Sequence, residues 1–415
     1  MALLRRIEVA KFVVVGAGIV GVCTAYELVR RGHAVTLVDQ NDEPCQGSSA
    51  RNGAQLSYAY CDALASPTLL SHLIEIVLRR DPAYRVHLQA DPEFLLWCLR
   101  FILNASSKRF SDNTRYLLTM AAASQSAMTE LLRKHDLRFS YAVAGKMILH
   151  STHDSFAGAK AGYRLKTSLG FPLQLLNREE AMAIEPALSA YRDPIAGVVF
   201  SPEDAVGQPH LFCQHLLGLL QREYGLELRL GKKVNRLATT PGRSVRTQLT
   251  GGEVISFDGA VICTGHTSGI AARYTGFGAS WPVQGYSMTV PARADAMRVS
   301  ITDMKRRIVF ARIGSHIRIA GIADIGGRRV SFDDTRFGTL RKSALEAFAG
   351  CYEIGPMAQL EPWTGARPMT PSSRPIVRRA DRGIYLNLGH GALGWTLALG
   401  SAAKLGELIA ADFHA

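Results

Sequence analysis

Short apolar runs separated by amphipathic stretches organise the first forty residues. Phe12–Val15 is a β-branched run that reads as a buried strand, and Ile19–Arg31 carries apolar residues at helical spacing up to a stop signal at Gly32. Ala34–Val38 reads as a second strand ending on Asp39. From residue 66 to about 200 the pattern changes to long apolar helical stretches. One of them, 93–103, is apolar almost all round, which predicts a buried helix rather than one lying on a membrane. Lys146–His150 is strand-like, Pro209–Tyr224 predicts a helix and Leu226–Leu237 a strand. A buried strand within Phe257–Gly265 returns the chain to the first, parallel sheet. Residues 283–290 and 308–322 read as strands of another sheet, the latter turning at Gly314-Ser315, and Gly383–Asn387 precedes a last helix running to Ala411. The pattern predicts an α/β nucleotide-binding domain interleaved with a second domain.

Between the first strand and its helix stands Gly16-Ala17-Gly18-Ile19-Val20-Gly21. Gly16 permits the sharp turn, Gly18 lets the backbone approach a pyrophosphate, and Gly21 lets helix and strand lie close. Asp39, 18 residues after Gly21, is placed to accept from ribose hydroxyls and to repel a 2′-phosphate. The motif admits NAD or FAD and disfavours NADP. The small polar loop Gly47–Gln55 suits further phosphate and flavin atoms. Val234 falls where a short apolar side chain covers an adenine. Leu388–Thr396 is a second Gly-rich turn entering a helix, and its N-terminus suits the negative N1/O2 edge of a reduced flavin.

Length and charge bound the rest. At 415 residues the chain exceeds the roughly 250–300 at which one core stops growing, so two domains are expected. Seven scattered cysteines with no C-x-x-C pair argue against a disulfide framework and a zinc site, and point to a reducing cytoplasm. His210 and His215 lack ligand spacing, so no metal is expected. The net charge of +13 suits anionic partners, but no nucleic-acid signature accompanies it. The basic, apolar start imitates a signal peptide, yet it is Gly-rich and is already explained by the nucleotide motif.

Arg367 lies in Trp363–Val377, WTGARPMTPSSRPIV, with no acidic residue from 362 to 380. An unpaired guanidinium in such a loop is a candidate anion anchor. Tyr286 alternates with Gly285 and Ser287 on a strand; as a single tyrosine it reads first as a core residue with a satisfied hydroxyl.

With these motifs in hand, the chain resembles the FAD-dependent D-amino-acid dehydrogenases (the D-alanine-type small subunit) of the D-amino-acid oxidase and glycine oxidase superfamily. The likeness runs through VVGAGIVGV at 14–22, SSARN..QLS at 48–57, PVQGYSMTVP at 282–291, WTGARPMTP at 363–371 and LNLGHGALGWTLALGS at 386–401. It implies a Rossmann-type FAD-binding domain (11–65, 205–280 and 362–415) interleaved with an α+β substrate domain on a mixed or antiparallel sheet (66–204 and 281–361), after an N-terminal extension, 1–10. It implies non-covalent FAD on Gly16, Gly18, Gly21, Asp39, Ser48, Ser49, Asn52, Gln55, Val234, Gly391, Leu393, Gly394, Trp395 and Thr396. Arg367 takes the place of the arginine that holds the substrate carboxylate, and Tyr286 and Tyr60 match substrate-pocket tyrosines. The implied reaction is hydride transfer from Cα of a D-amino acid to flavin N5, then hydrolysis to a 2-oxo acid and ammonia. Electrons would pass to a quinone or another non-O2 acceptor, in the cytoplasm or at the inner face of the cell membrane, with no nucleic-acid partner. An oxidase of the same fold acting on glycine, sarcosine or D-amino acids, and a partner-dependent subunit of a heteromeric dehydrogenase, are the alternatives. Three departures stand out. Asp39 replaces the usual Glu, Gly53-Ala54 reverses the usual Ala-Gly, and Ser372-Ser373-Arg374-Pro375-Ile376-Val377-Arg378 replaces D-G-x-P-x-x-G.

Overall fold

The first strand, Lys11–Val15, is apolar at four of its five positions because neighbours cover it on both edges and both its faces are buried in apolar cores. In the computed structural model, which describes residues 9–241, 244–265, 269–348, 350–356 and 360–414, it lies inside a six-stranded sheet. The order across that sheet is Ile376–Asp381, Ile384–Leu388, Gly259–Ile262, Lys11–Val15, Ala34–Val38, Glu227–Arg229. All neighbours are parallel except the first pair. The helix Ile19–Arg30 packs against the helices Pro209–Tyr224 and Gly394–His414. Its buried Glu27 is matched by Arg30 at 2.7 Å and Arg31 at 2.6 Å.

The second large sheet has nine strands. Its main path runs Trp363–Met369, Trp281–Pro291, His316–Ile325, Ile308–Ile313, Ser300–Asp303, Lys146–His150, Gly197–Ser201, Gln174–Leu176, with Tyr84–Val86 added beside His316–Ile325. The pairings are mostly antiparallel, with Ser300–Asp303 parallel to Lys146–His150 and Tyr84–Val86 parallel to its neighbour. This is the expected α/β architecture: a Rossmann-type parallel sheet beside a mixed sheet.

Two expectations need correction. Leu226–Leu237 is not one strand. Gly231 takes φ +67°, Gly231 N donates to Asn41 O and Lys232 N to Asp39 O, so the chain turns over the loop after the second strand. Glu227–Arg229 stays in the parallel sheet, and Val234–Thr239 starts a three-stranded antiparallel sheet with Val245–Leu249 and Val254–Phe257. The helix over 93–103 exists, as Pro92–Asn104, but it is not buried all round. Phe94 and Trp97 pack inward against Trp281, while Leu95, Leu99, Ile102 and Leu103 lie 43–54% exposed. The apolar run hid a division at i, i+4 and i+7 that only packing reveals.

The glycine turn has no room to spare. Gly16 takes φ +110°, and a Cβ on Gly21 would stand 1.7 Å from Gly16 O. Gly21→Ala is therefore expected to lower stability by about 1–3 kcal/mol by forcing helix and strand apart. Thermal unfolding of the purified variant checks this, and an unchanged Tm would contradict the close packing.

Candidate functional site

The glycine turn, the polar loop after the second strand, the N-terminus of the last helix and one face of the mixed sheet enclose a single cavity of about 1370 Å³. Sites for one small ligand run to roughly 300–1000 Å³, so this one has room for a dinucleotide and a small substrate together. Gly16, Gly18, Asp39, Ser48, Ser49, Asn52, Gln55, Val234, Gly391, Leu393, Gly394, Trp395 and Thr396 all line it; Gly21 stands behind the turn. Of the three expected substrate residues, Tyr60, Tyr286 and Arg367 line it too.

The hydrogen bonds show how each is held. The helix Ile19–Arg30 has no acidic residue in its first turn and no side-chain cap on Gly18; Ile19 N donates to Ser49 Oγ at 3.2 Å. Asp39 accepts from Ala17 N at 2.6 Å and from both nitrogens of Asn41 at 2.9 Å, so the acid also braces the glycine turn. Ser48 donates to Ala366 O, beside Arg367. Asn52 Oδ1 accepts from Ala54 N, and Ala54 itself takes φ +56°, the left-handed conformation in which the usual Ala-Gly order would place glycine. Gln55 turns toward the mixed sheet, donating to Ser300 Oγ at 2.5 Å. At the last helix, Trp395 sends its indole into the core, where Nε1 donates to Gly207 O at 3.1 Å. Thr396 Oγ1 accepts from Ser57 N at 3.2 Å. Burial pulls neighbouring His390 down to about 3, so its ring is neutral at physiological pH.

These residues fit FAD. An acid-free helix N-terminus presents backbone donors to a pyrophosphate, an acid stands ready for a ribose, and Gly16 and Gly21 of the turn leave no space for a Cβ. The helix entered through Gly394 is likewise free of acid in its first turn. Among the described residues no His/Cys/Asp/Glu group could hold a metal ion.

Arg367 lies deep on the strand Trp363–Met369, and burial pulls its guanidinium below the usual arginine value. No carboxylate of the described residues forms an ion pair with it. The near one, Asp324, is already taken by Arg85 at 2.9 Å and Arg336 at 2.8 Å. Within the described residues the guanidinium donates from Nη1 to Ile322 O at 3.1 Å. A bulge aims that carbonyl: Gly321 pairs with Tyr286 and Asp324 with Gln284, so Ile322 and Ala323 oppose Gly285 alone. Ile322 takes φ +62°, a strained conformation for a β-branched residue. Gly285 makes the space, since a Cβ there would lie 2.2 Å from Arg367 Nη2.

The tyrosines differ. Tyr286 is 1% exposed, packs in the core beside Phe332, and its hydroxyl lies 2.9 Å from Gln284 Nε2 and 3.4 Å from Asp324 Oδ2. That is the satisfied core tyrosine of the residue-level reading. Tyr60 faces the cavity with its hydroxyl 3.1 Å from Met304 Sδ and two ammonium groups over its ring, Lys146 at 4.7 Å and Lys166 at 4.9 Å. Sequence reasoning missed Tyr84, Arg307 and Lys146. Arg307 stacks on Tyr84 at 4.7 Å and pairs with Asp81 at 3.5 Å. No spacing in the sequence links these residues; the nine-stranded sheet does.

A model of the family described as FAD dependent oxidoreductase matches residues 11–408. The chain belongs to that family. It is 40% identical over 408 residues to a protein named D-amino acid dehydrogenase 2 from Ralstonia nicotianae, covering 96% of each chain. It is 35% identical to another of that name from Pseudomonas aeruginosa, covering 95% of this chain and 94% of that one. The resemblance read from the sequence is borne out by these relatives. Among solved structures, L-proline dehydrogenase from P. horikoshii superposes with a TM-score of 0.73 at 16% identity (97% and 93% covered) and glycine oxidase from Bacillus cereus with 0.71 at 15% (97% and 95%). Both share the fold. FAD is the family's cofactor, and this chain is a FAD-dependent oxidoreductase.

The two arginine arrangements predict opposite costs. Asp324→Asn strips the carboxylate from Arg336 and leaves Arg85 only Asp333 at 2.8 Å, and is expected to cost roughly 3–5 kcal/mol. Arg367→Met removes a guanidinium with no carboxylate partner and is expected to leave Tm near or above that of the unchanged protein. Parallel thermal melts check the contrast, and an equal loss in both variants would mean Arg367 serves the fold.

Proposed function

We propose that this chain carries out FAD-dependent oxidative deamination of D-amino acids to 2-oxo acids and ammonia, passing the electrons to a quinone or another acceptor other than O2 at the anionic face of a membrane. The observation that carries the reading is Arg367, a half-buried cation lining the cavity that forms no ion pair with a carboxylate of the described residues. A substrate carboxylate supplies the missing charge, and the planar fork fixes its orientation through paired hydrogen bonds. Ile322 O holds one arm of the fork while Gly285 leaves the other clear. Tyr60 then walls the substrate space, and Tyr286 steadies Asp324 so that this carboxylate stays with its own arginines. FAD, when bound, accepts the hydride from the substrate Cα. Water completes the reaction by hydrolysing the resulting imine. The names of the Ralstonia and Pseudomonas relatives support the D configuration.

The membrane part rests on the helix Pro92–Asn104. Leu95, Leu99 and Ile102 form an exposed apolar stripe at i, i+4 and i+7, and Arg100, Lys108 and Arg109 follow close by in the chain. Apolar side chains flanked by cations suit the headgroup region of an anionic bilayer, adding to the net charge of +13. No helix among the described residues is long and apolar enough to cross a membrane.

Anaerobic mixing of the FAD-loaded protein with D- and L-amino acids tests the chemistry, followed by air or a quinone analogue. D-amino acids should bleach the flavin, and quinone should restore it faster than air; bleaching by no amino acid would sink the reading, and rapid reoxidation by air would make the protein an oxidase. Arg367→Met should keep FAD and lose substrate affinity by roughly 100-fold or more, the loss of a charged, buried pairing. For the membrane, Leu95→Glu with Leu99→Glu should abolish cosedimentation with vesicles of phosphatidylglycerol without lowering Tm. Cosedimentation unchanged by the pair would remove this face from the proposal.

A further inference from the structure

In the wall of the same cavity is a lysine that the proposed reaction leaves without a role. Lys146 begins the strand Lys146–His150, is 3% exposed and lines the cavity. Its Nζ donates to Gln55 Oε1 at 3.0 Å and to Ser57 Oγ at 2.7 Å, and lies 4.7 Å from the centre of the Tyr60 ring. It forms no ion pair with a carboxylate of the described residues; Asp62, two residues beyond Tyr60, is taken by Lys166 at 2.6 Å.

The two acceptors decide the chemistry. An ammonium has three N–H donors, a neutral amine two donors and a lone pair. Gln55 Oε1 and Ser57 Oγ match the two donors of the neutral form, and the third position on the nitrogen has no hydrogen-bond acceptor in the protein, only the Tyr60 ring. A proton can therefore join or leave there without breaking either hydrogen bond. The charged and titratable groups around it are Asp204, Cys61, Lys166, Asp62 and Tyr60. Burial outweighs them all and pulls Lys146 down to about 8, with Asp204 the main opposing charge; burial in turn pushes Asp204 up to about 6. A lysine so displaced at a cavity wall marks a candidate working group.

We propose that Lys146 is the base that takes the proton from the substrate's ammonium group before the Cα–H bond breaks, an inference that rests on the deamination reading. An amino acid enters largely as the ammonium form, whose nitrogen has no free electron pair to build the C=N bond. The N–H bond breaks, its electron pair stays on the substrate nitrogen, and the proton goes to Nζ of neutral Lys146. The hydride then leaves Cα with the pair of the C–H bond, for which bound FAD would be the acceptor, and the nitrogen lone pair forms the C=N bond of the iminium that water hydrolyses. The base works as the neutral amine, so the competent form fills as pH rises through about 8 and empties below it.

The test is the pH dependence of anaerobic flavin reduction by D-alanine, D-methionine, D-proline and D-glutamate in the FAD-loaded protein and in Lys146→Met and Lys146→Arg. Arginine keeps a cation and its donors but cannot give up its proton, so it separates a base from a positioning charge. The unchanged protein should show a rise levelling near pH 8. Both variants should lose that inflection and reduce some 100-fold more slowly at neutral pH, within the range general bases contribute. FAD content and Tm of Lys146→Arg, matching the unchanged protein, show that the fold survives. An arginine variant with the original pH profile overturns the inference, and so does an equal drop at every pH in both variants. Reduction of the unchanged protein by no D-amino acid sinks the deamination reading and this one with it.

Discussion

A half-buried guanidinium without a carboxylate costs free energy that the rest of the structure must offset, and much of the mixed sheet is arranged around that constraint. Arg367 is kept apart from the acid nearest to it. Asp324 is held by Arg85 and Arg336, with the Tyr286 hydroxyl 3.4 Å away, so its charge is already spoken for. The bulge at Ile322 supplies the guanidinium with a carbonyl, which solvates it weakly and does not neutralise it. The strain at Ile322 and the bare backbone at Gly285 make sense only as provisions for Arg367. Mutual support of this kind, a cation left short of charge by design of its neighbours, is the usual mark of a site preorganised for an anion.

The loop 48–57 joins that site to the nucleotide half. Ser48 reaches Ala366 O, the Arg51 carbonyl accepts from Ser287 Oγ at 2.6 Å, the Asn52 carbonyl accepts from Arg318 at 3.1 Å, and Gln55 enters the mixed sheet at Ser300. The same loop caps the first helix through Ser49 and meets the last helix through Ser57 and Thr396. A polar loop of small residues thus fixes the distance between the two sheets. That is why several of its side chains, expected to face the cofactor, are spent on the protein, leaving its backbone to line the cavity.

Much of this was legible because local chemistry repeats locally. The glycine turn, its acid at Asp39 and the Gly-rich entry to the last helix each declare themselves within a short span, since strand, turn and helix are adjacent in sequence. Arg367 was legible as an absence of nearby acids. The helix Pro92–Asn104 and the break at Gly231 were misread because an apolar run carries no record of which face its neighbours cover, and one glycine does not announce its φ. Lys146, Tyr84 and Arg307 were invisible for a different reason. Their partners lie from about 90 to well over 200 residues away and meet only through sheet register, which no window of sequence contains.

The segment after Arg367, which departs from the D-G-x-P-x-x-G pattern of the resemblance, turns out to be structural in its first half. Ser373 takes φ +65° in the place where the family pattern has glycine, and it recovers part of that strain by accepting a hydrogen bond from Leu64 N at 2.9 Å. Thr370 closes the turn on Arg374 O at 2.8 Å, and the Arg374 guanidinium stacks 4.9 Å from the Tyr116 ring. Leu64 belongs to the loop that carries Tyr60 and Asp62 along the cavity wall, so the substituted turn is tied to the substrate space by a bond glycine could not make. Arg378 instead reaches outward to Tyr274 O at 2.7 Å. The departure therefore divides: Ser373 bears on how the loop beside Lys146 is held, and Arg378 on the outer surface. Any bearing of the departure on the substrate space runs through the first of these, by the placement of Tyr60 and Asp62.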